Sequence, residues 1–241
     1  MKVLELFAGS RSFCKEAEKL GLKTFSTDFK PFDNIDLVID ILELDNDLLM
    51  QKLFEKGIDK VDCIWASPPC TSFSVAAIGR HWHKDHTPKT KEAELGVKIV
   101  QKTLDIIKFL KPDYFFIENP RGKLRKLEVV KGIPRTTVWY CQYGDNAAKP
   151  TDIWSNFIFE DSPLFNDDNR LQGWKPRKMC FNGNLNCHHD RAPRGTTVRR
   201  LKKEGLLDKS YKAGGTAAKK NNYERSKVPS ELCKEILNSC L

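Results

Sequence analysis

A cysteine at position 70 ends the run Ser67-Pro68-Pro69-Cys70, directly after the apolar stretch 61–65. Two consecutive prolines stiffen the turn and aim the next side chain in a fixed direction. A thiol at such a loop or helix-start position can be acidified and act as a nucleophile. An inert buried thiol is the usual interpretation of a lone cysteine, but the Pro-Pro context favours the nucleophile.

A second candidate group is Glu118, in the run Glu118-Asn119-Pro120 that follows the apolar residues 114–117. A carboxylic acid next to an apolar strand can hold a proton for transfer to a reacting group. Taken alone, this position favours the other interpretation, a capping acid that neutralises Arg121. Its pairing with a nucleophile elsewhere in the chain would decide between the two.

Small and acidic residues occupy further points where apolar runs end. The turn Ala8-Gly9-Ser10 follows one such run and precedes a helical pattern, so a ligand could approach its backbone. The glycine-rich signal is incomplete, and an ordinary strand-to-helix turn fits it as well. Asp28 lies 19 residues beyond Gly9 and could accept hydrogen bonds from ribose hydroxyls, with a cap or loop acid as the alternative. Asp40 has the same standing, with the adenine amino group as its possible partner.

The elements that must position these residues alternate between short apolar strands and amphipathic helices. The pattern predicts strands at 3–7, 23–27, 37–39, 61–65 and 114–117, and helices near 12–20, 47–56 and 94–111. Such alternation implies an α/β fold with a doubly wound parallel sheet. Ligands of these sheets bind beyond the carboxyl ends of the strands, where all of the candidate residues fall.

The composition excludes several classes of protein. The chain has 241 residues, of which 40% are hydrophobic and 30% charged, enough for one α/β domain with a smaller appendage and too apolar for global disorder. No apolar run approaches the thickness of a bilayer, and the start lacks the pattern of a secretory signal. We therefore expect a soluble cytoplasmic protein with no membrane partner.

Positive charge is concentrated in the last third of the chain. Residues 170–241 contain 17 basic and 6 acidic residues, whereas the remainder contains 24 and 26. A basic segment attached to a near-neutral domain indicates a nucleic-acid partner, although a solvated basic surface fits the charge equally well. The residues expected to contact nucleic acid are Arg80, Trp82, Arg191, Arg194, Arg199 and Arg200.

Cysteine and histidine also cluster in this basic segment. The chain has 8 cysteines, which in an intracellular protein are more often thiols, ligands or a nucleophile than a disulfide framework. Cys180, Cys187, His188 and His189 are candidate ligands of a structural zinc. Their spacing is not that of a standard zinc finger, and the alternative is a loop whose histidines contact DNA or solvent.

Taken together, these runs resemble the C5-cytosine DNA methyltransferase family. ELFAGS is similar to the family's first cofactor motif, SPPCTSFS to its Pro-Cys nucleophile motif and IENP to its Glu-Asn motif, in the family's order. CQYG with KPTDIW resembles the motif that normally supplies an active-site arginine. KVPSEL resembles the last motif, whose helix packs beside the first. The likeness covers 1–160 and more loosely 225–241, and the compact size and KPTDIW look like phage or prophage members.

The resemblance implies a mechanism. Cys70 would add to C6 of cytosine while Glu118 shares or donates a proton at N3, which makes C5 able to attack a methyl sulfonium. Asn119 and Arg121 would position the loop or the base. The usual Arg-x-Arg of the later motif is absent, so Lys149 is expected to replace its positive charge, with Arg80 as a second candidate.

The resemblance further implies a methyltransferase fold of the Rossmann-like type that binds S-adenosyl-L-methionine. Asp28 would bind the ribose and Asp40 the adenine. The expected cofactor contacts are Phe7, Ala8, Gly9, Ser10, Asp28, Phe29, Asp40, Ile41, Ser67 and Pro68.

The resemblance also implies a domain organisation and a partner. We expect a cofactor-binding catalytic domain at 1–160, a small basic DNA-contacting and target-recognition segment at 161–227, and a helix at 228–241 that returns to the catalytic domain. The expected substrate is double-stranded DNA, bound by a monomer in a bacterial or phage-infected cell, with the target cytosine flipped out of the helix. Restriction protection, phage genome modification and regulation all fit.

Two other functions remain open at this stage. An RNA C5-cytosine methyltransferase would use much the same set of residues. A catalytically silent DNA-binding relative is conceivable because of the altered motifs, although retention of both Cys70 and Glu118 argues against it.

Overall fold

The computed structural model describes residues 1–145, 148–157, 174–177, 202–205 and 222–241. Within these residues seven strands form one sheet in the order β3-β2-β1-β4-β5-β7-β6. The strands are β1 (Lys2–Leu6), β2 (Lys23–Asp28), β3 (Leu37–Val38), β4 (Cys63–Ala66), β5 (Tyr114–Pro120), β6 (Arg135–Trp139) and β7 (Pro150–Ser155).

Helices cover both faces of this sheet. They are α1 (Ser12–Lys19), α2 (Asn46–Glu55), α3 (Ile78–His81), α4 (Lys91–Leu110), α5 (Asn222–Ser226) and α6 (Ser230–Cys240), with short 3₁₀ helices at Leu124–Lys126, Glu128–Val130 and Tyr140–Tyr143. The longest, α4, begins three residues earlier than the apolar pattern predicts. Its start is set by Thr90, whose hydroxyl accepts a hydrogen bond from Ala93 N at 3.3 Å.

The first five strands run parallel and confirm the doubly wound α/β sheet expected from the sequence. The sequence analysis did not predict β6 and β7, and β7 lies antiparallel to both β5 and β6. The fully buried carboxylate of Asp152 on β7 helps to fix this pair. It accepts hydrogen bonds from Arg125 Nε at 2.8 Å, Thr137 Oγ1 at 2.8 Å and Arg135 Nη1 at 3.1 Å.

Two apolar cores lie on opposite faces of the sheet, because alternate residues of each strand point to opposite sides. On one face Leu4 and Leu6 pack with the buried residues of α2 and α4. On the other face Val3 and Trp65 pack with α1 and α6. Phe13 of α1 stacks on Trp65, with ring centroids 4.8 Å apart.

The C-terminal helix α6 packs against α1, as the resemblance of the last motif implied. Val228 N donates to Ser12 Oγ at 3.2 Å, and Ser230 Oγ donates to Glu16 Oε1 at 2.7 Å. The chain end is thereby joined to the first helix, beside the strand ends that carry the candidate cofactor residues. The three-part domain division stays a prediction, because most of 161–227 lies outside the described residues.

No helix in the described part of the chain is long and apolar enough to cross a bilayer.

Candidate active site

Cys70 lies on a tightly folded loop directly after β4. Its carbonyl oxygen accepts hydrogen bonds from Phe73 N at 3.1 Å and Ser74 N at 3.0 Å, which closes the turn that the two prolines begin. Phe73 is buried and stacks on Trp82, with ring centroids 5.8 Å apart. Trp82 Nε1 donates a hydrogen bond to Ser72 O at 2.8 Å. The loop that carries the thiol is therefore anchored after Cys70 by aromatic packing between Phe73 and Trp82.

Three contacts join this loop to the end of β5. Asn119 Nδ2 donates to Pro68 O at 2.9 Å, and Lys123 N donates to Phe73 O at 2.7 Å. A Cβ on Gly122 would lie only 2.2 Å from Phe73 O, so only glycine permits this close approach of the two backbones. The Cys70 loop and the residues after Glu118 therefore form one unit.

Glu118 is 5% exposed and is held by side chains that follow β6 and precede β7. Tyr140 Oη donates to Glu118 Oε1 at 2.8 Å. Lys149 Nζ lies 3.9 Å from the same oxygen and 4.4 Å from the centre of the Tyr140 ring. Lys149 has a φ of 29°, an unfavourable backbone conformation for a residue with a side chain.

The thiol belongs to the same electrostatic cluster. Burial and then the charge of Glu118 raise the pKa of Cys70 above its usual value, while the charge of Lys149 opposes the rise. The resting thiol is consequently protonated at neutral pH. Activation of this sulfur must come from whatever removes that proton when substrate is bound.

The cofactor half of the site is formed where β1 and β2 end. Asp28 Oδ2 accepts a hydrogen bond from Gly9 N at 3.0 Å, and its other oxygen accepts one from Lys30 N at 2.9 Å. Burial, partly offset by these backbone hydrogen bonds, raises the pKa of Asp28. Phe7 and Gly9 have positive φ values of 58° and 47°, which turn the chain sharply between strand and helix.

These residues fit S-adenosylmethionine. A Cβ on Gly9 would lie at ordinary contact distance, 3.9 Å from Ser226 Oγ and 4.0 Å from Asp28 Oδ2, so Gly9 lies between a hydroxyl and a carboxylate. Its φ of 47° disfavours any residue with a side chain. Phe29, next to Asp28, is 60% exposed and presents an aromatic ring for stacking on a base. Carboxylate, hydroxyl and aromatic groups match the ribose and adenine of this cofactor.

The remaining expected cofactor residues occupy mixed environments. Asp40 is exposed, and its carboxylate accepts a hydrogen bond from Leu42 N at 3.0 Å, while Ile41 is buried. Ser67 Oγ accepts a hydrogen bond from Trp65 Nε1 at 2.9 Å, and Ser10 Oγ lies 2.7 Å from Ser12 Oγ. Ala8 is buried, and Pro68 is buried and held by Asn119. Cofactor contacts by these residues stay predictions.

Three other expected residues lie outside the buried cluster. Arg121 is exposed and stacks on Trp139 at 5.3 Å, and Arg80 is exposed on α3. Trp82 is only 3% exposed and packs in the core, so contact between its ring and nucleic acid would require the loop to open. Their roles at the base or on nucleic acid stay predictions.

Several expected residues lie outside the described part of the chain. They are the arginines Arg191, Arg194, Arg199 and Arg200 and the candidate zinc ligands Cys180, Cys187, His188 and His189. Within the described residues, no group of three or more histidine, cysteine, aspartate or glutamate side chains could hold a metal. The described residues therefore give no support to a structural zinc site.

The sequence analysis missed three residues of this region. Tyr140 holds Glu118, Ser226 lies beside Gly9, and the buried amine of Lys123 lies 2.7 Å from His86 Nδ1. Lys123 also lies 5.2 Å from the Trp82 ring centre, so it ties the loop after Cys70 to β5. Only Tyr140 had a sequence signal, its position immediately before the CQYG run.

Comparison with known proteins gives one related sequence along the full length. It is 27% identical over 250 residues, covers 100% of both chains and is named "Probable DNA (cytosine-5)-methyltransferase" of Frog virus 3 (isolate Goorha).

Two solved structures are similar at 15% identity. A candidate DNA modification methyltransferase encoded within an E. coli prophage has a TM-score of 0.47, and the match spans 64% of this chain and 46% of that one. A mutant of Spodoptera frugiperda DNMT2 has a TM-score of 0.45 with 99% of both chains covered.

The family model described as C-5 cytosine-specific DNA methylase matches residues 1–131, more than half of the chain. The matched part contains Cys70 and Glu118 as well as the turn at Gly9. The sheet, the joined loops and this match lead to one conclusion: the chain belongs to the C-5 cytosine-specific DNA methylase family, whose members are S-adenosylmethionine-dependent enzymes.

Proposed function

We propose that this protein methylates C5 of a cytosine flipped out of double-stranded DNA, through a transient bond between Cys70 and the base. The observation that carries the proposal is that buried Glu118 on β5 lies 3.9 Å from Lys149 Nζ, and that its neighbour Asn119 is hydrogen-bonded to the loop of the half-buried Cys70 after β4. With the two loops joined, the thiol of Cys70 can act on C6 and the carboxyl group of Glu118 on N3 of the same pyrimidine ring.

Cys70 performs the first covalent step. The thiol gives its proton to water, the sulfur adds to C6, the C5–C6 double bond opens, and the electron pair passes into the ring toward C5 and N3. Cytosine C5 is a weak nucleophile until this addition makes the ring resemble an enamine. Once a methyl group is on C5, loss of the C5 proton and departure of the sulfur from C6 restore the aromatic ring and the free thiol.

Glu118 controls charge on the opposite side of the ring. Addition at C6 places negative charge on N3 and O2, and a carboxyl proton shared with N3 prevents its accumulation. Lys149 Nζ holds positive charge 3.9 Å from Glu118 Oε1, and its charge favours the thiolate of Cys70. Asn119, bonded to Pro68 O, keeps the two loops at a constant separation.

S-adenosylmethionine, when bound, supplies an electrophilic methyl group on a sulfonium. Asp28 and the Gly9 turn would hold its ribose, with Phe29 against the adenine and Asp40 near the amino group. These positions lie at the ends of β1 to β3, next to the β4 end that carries Cys70. The neighbouring strand ends thus bring the two halves of the reaction together.

The base must leave the stack to reach these groups. Cys70 is half-buried and Glu118 is buried, so a cytosine inside a duplex could not approach both. Extrusion of one nucleotide into the cleft solves this problem, as in other enzymes that modify bases. The exposed guanidinium groups of Arg80 and Arg121 are proposed to contact phosphates or the base beside the cleft.

Methyl transfer is tested with labelled S-adenosylmethionine and either long unmethylated duplex DNA or tRNA, followed by digestion to nucleosides. We expect label in 5-methyldeoxycytidine. Label only in 5-methylcytidine would show that the substrate is RNA and not DNA. Absence of label in both, with intact cofactor and DNA binding, would indicate a catalytically silent protein.

The nucleophile is tested with Cys70→Ala and a matched control, Cys240→Ala, at another half-exposed cysteine far along the chain in α6. Cys70→Ala should abolish turnover without changing cofactor binding, and Cys240→Ala should remain active. DNA in which 5-fluorocytosine replaces all cytosine should trap the unaltered protein, because a C5 fluorine cannot leave as a proton does. Methylation by Cys70→Ala would show that the nucleophile is wrongly assigned.

A further inference from the structure

The chain lacks the arginine pair that its family resemblance leads one to expect at Lys149-Pro150-Thr151. Some other group must therefore hold the buried carboxylate of Glu118, since an unpartnered buried carboxylate is costly. The side-chain hydroxyl that does so belongs to Tyr140, at 2.8 Å from Oε1. Tyr140 is fully buried and lies outside the part of the chain matched by the family model.

We propose that Tyr140 is the positioning residue for Glu118, supplying the directed hydrogen bond for which the arginine is missing. The inference rests on the proposed function, because its effect is exerted through Glu118 at N3 of the base. Tyr140 and Lys149 both approach Oε1, and no hydrogen bond from the described residues reaches Oε2. Oε2 is thus the oxygen left for the substrate.

The hydroxyl of Tyr140 can act only as a donor toward this carboxylate. Burial, followed by the charge of Glu118, holds the pKa of Tyr140 well above its usual range, so the phenol stays neutral. Lys149 Nζ lies over the ring at 4.4 Å, where a cation draws electron density from the phenol and strengthens its O–H as a donor. The positive charge and the hydrogen bond therefore act together.

The backbone around Tyr140 is well anchored. Asp145 N donates to Tyr140 O at 3.1 Å, and Gly144, with a φ of 87°, ends the 3₁₀ helix. Next to Gly144, at the same end of that helix, Tyr143 Oη accepts a hydrogen bond from Arg177 N at 2.9 Å. Tyr140 itself packs in the core formed with α6. A donor held in this way can fix the orientation of Glu118.

The test is Tyr140→Phe, which removes the hydroxyl and retains the ring. We expect kcat to fall about 10- to 100-fold, the range for loss of one hydrogen bond to a charged group, with KM and cofactor affinity changed less than about twofold. The control is Tyr114→Phe at the start of the same strand as Glu118, which should leave kcat unchanged. Thermal unfolding and cofactor binding verify that each variant is folded.

A double-mutant cycle separates positioning from general packing. Adding Tyr140→Phe to the Glu118→Gln variant should lower kcat by less than about threefold, because the group through which the hydroxyl acts has already been altered. Full activity of Tyr140→Phe, or an equal loss in both backgrounds, would overturn the inference. Either result would leave the proposed function intact so long as the unaltered protein places label in 5-methyldeoxycytidine and Cys70→Ala does not, whereas absence of that label with the unaltered protein would overturn the proposed function.

Discussion

Two buried glutamates occupy parallel strands of this sheet and have different kinds of partner. Glu5 on β1 is 3% exposed and accepts hydrogen bonds from two backbone amides of α1, Phe13 N at 3.2 Å and Cys14 N at 2.7 Å. Glu118 on β5 is similarly buried, but its partners are the side chains of Tyr140 and Lys149.

The difference distinguishes a structural carboxylate from the one that we propose takes part in the reaction. Backbone amides at the start of a helix are already in place, so Glu5 joins β1 to α1 and has both oxygens occupied. Burial, only partly offset by these hydrogen bonds, raises the pKa of Glu5 to about 7. No hydrogen bond from the described residues reaches Oε2 of Glu118, and the charge of Glu118 acts on Cys70.

The largest effect on activity is expected from Glu118→Gln, which retains shape but cannot deliver a proton to N3. We expect kcat to fall about 10²- to 10⁴-fold, the usual contribution of a positioned general acid. Steady-state methylation assays measure the loss, and thermal unfolding should be little changed. A variant with nearly full kcat would show that Glu118 is as structural as Glu5.

A smaller effect, on stability, is expected at Glu5. Its pKa of about 7 in the folded protein exceeds the ordinary glutamate value of 4.5, so its contribution to stability is fully present below pH 4.5 and is lost as pH rises through about 7. The loss is on the order of 3 kcal/mol of unfolding free energy. Urea denaturation at several pH values should show it.

Glu5→Gln is the matched test of that assignment, because an amide does not titrate in this range. The variant should lose the part of the pH dependence that lies between pH 4.5 and about 7. If the free energy of unfolding of Glu5→Gln changes between these two pH values as much as that of the unaltered protein, another group is responsible.

The smallest effect is expected from Lys149→Gln on the reactivity of Cys70. Removal of the positive charge leaves burial and Glu118 to raise the pKa of Cys70 further, so less thiolate is present at any given pH. Alkylation of Cys70 by iodoacetamide at pH 8, followed by mass spectrometry, should be slower in Lys149→Gln than in the unaltered protein. Lys52→Gln on the distant α2 is the control, and equal rates in all three proteins would exclude an effect of Lys149.

Local sequence patterns predicted the first part of the fold. The strand and helix alternation over 1–117 predicted the parallel strands, since each strand is a short apolar run and each crossover helix has its own periodicity. The segments that became β6 and β7 have no comparable signal. Their pairing depends on contacts between distant residues, such as Asp152 with Arg125 and Arg135.

The sequence by itself determined the family, the doubly wound sheet and the two residues expected to react, because motif spacing and strand ends are local properties of the chain. Only the tertiary structure decided what surrounds those residues. It placed Trp82 in the core, brought Ser226 beside Gly9 and directed the hydroxyl of Tyr140 to Glu118. Such contacts join residues far apart in the chain, and their geometry follows from sheet order and packing, which no local pattern specifies.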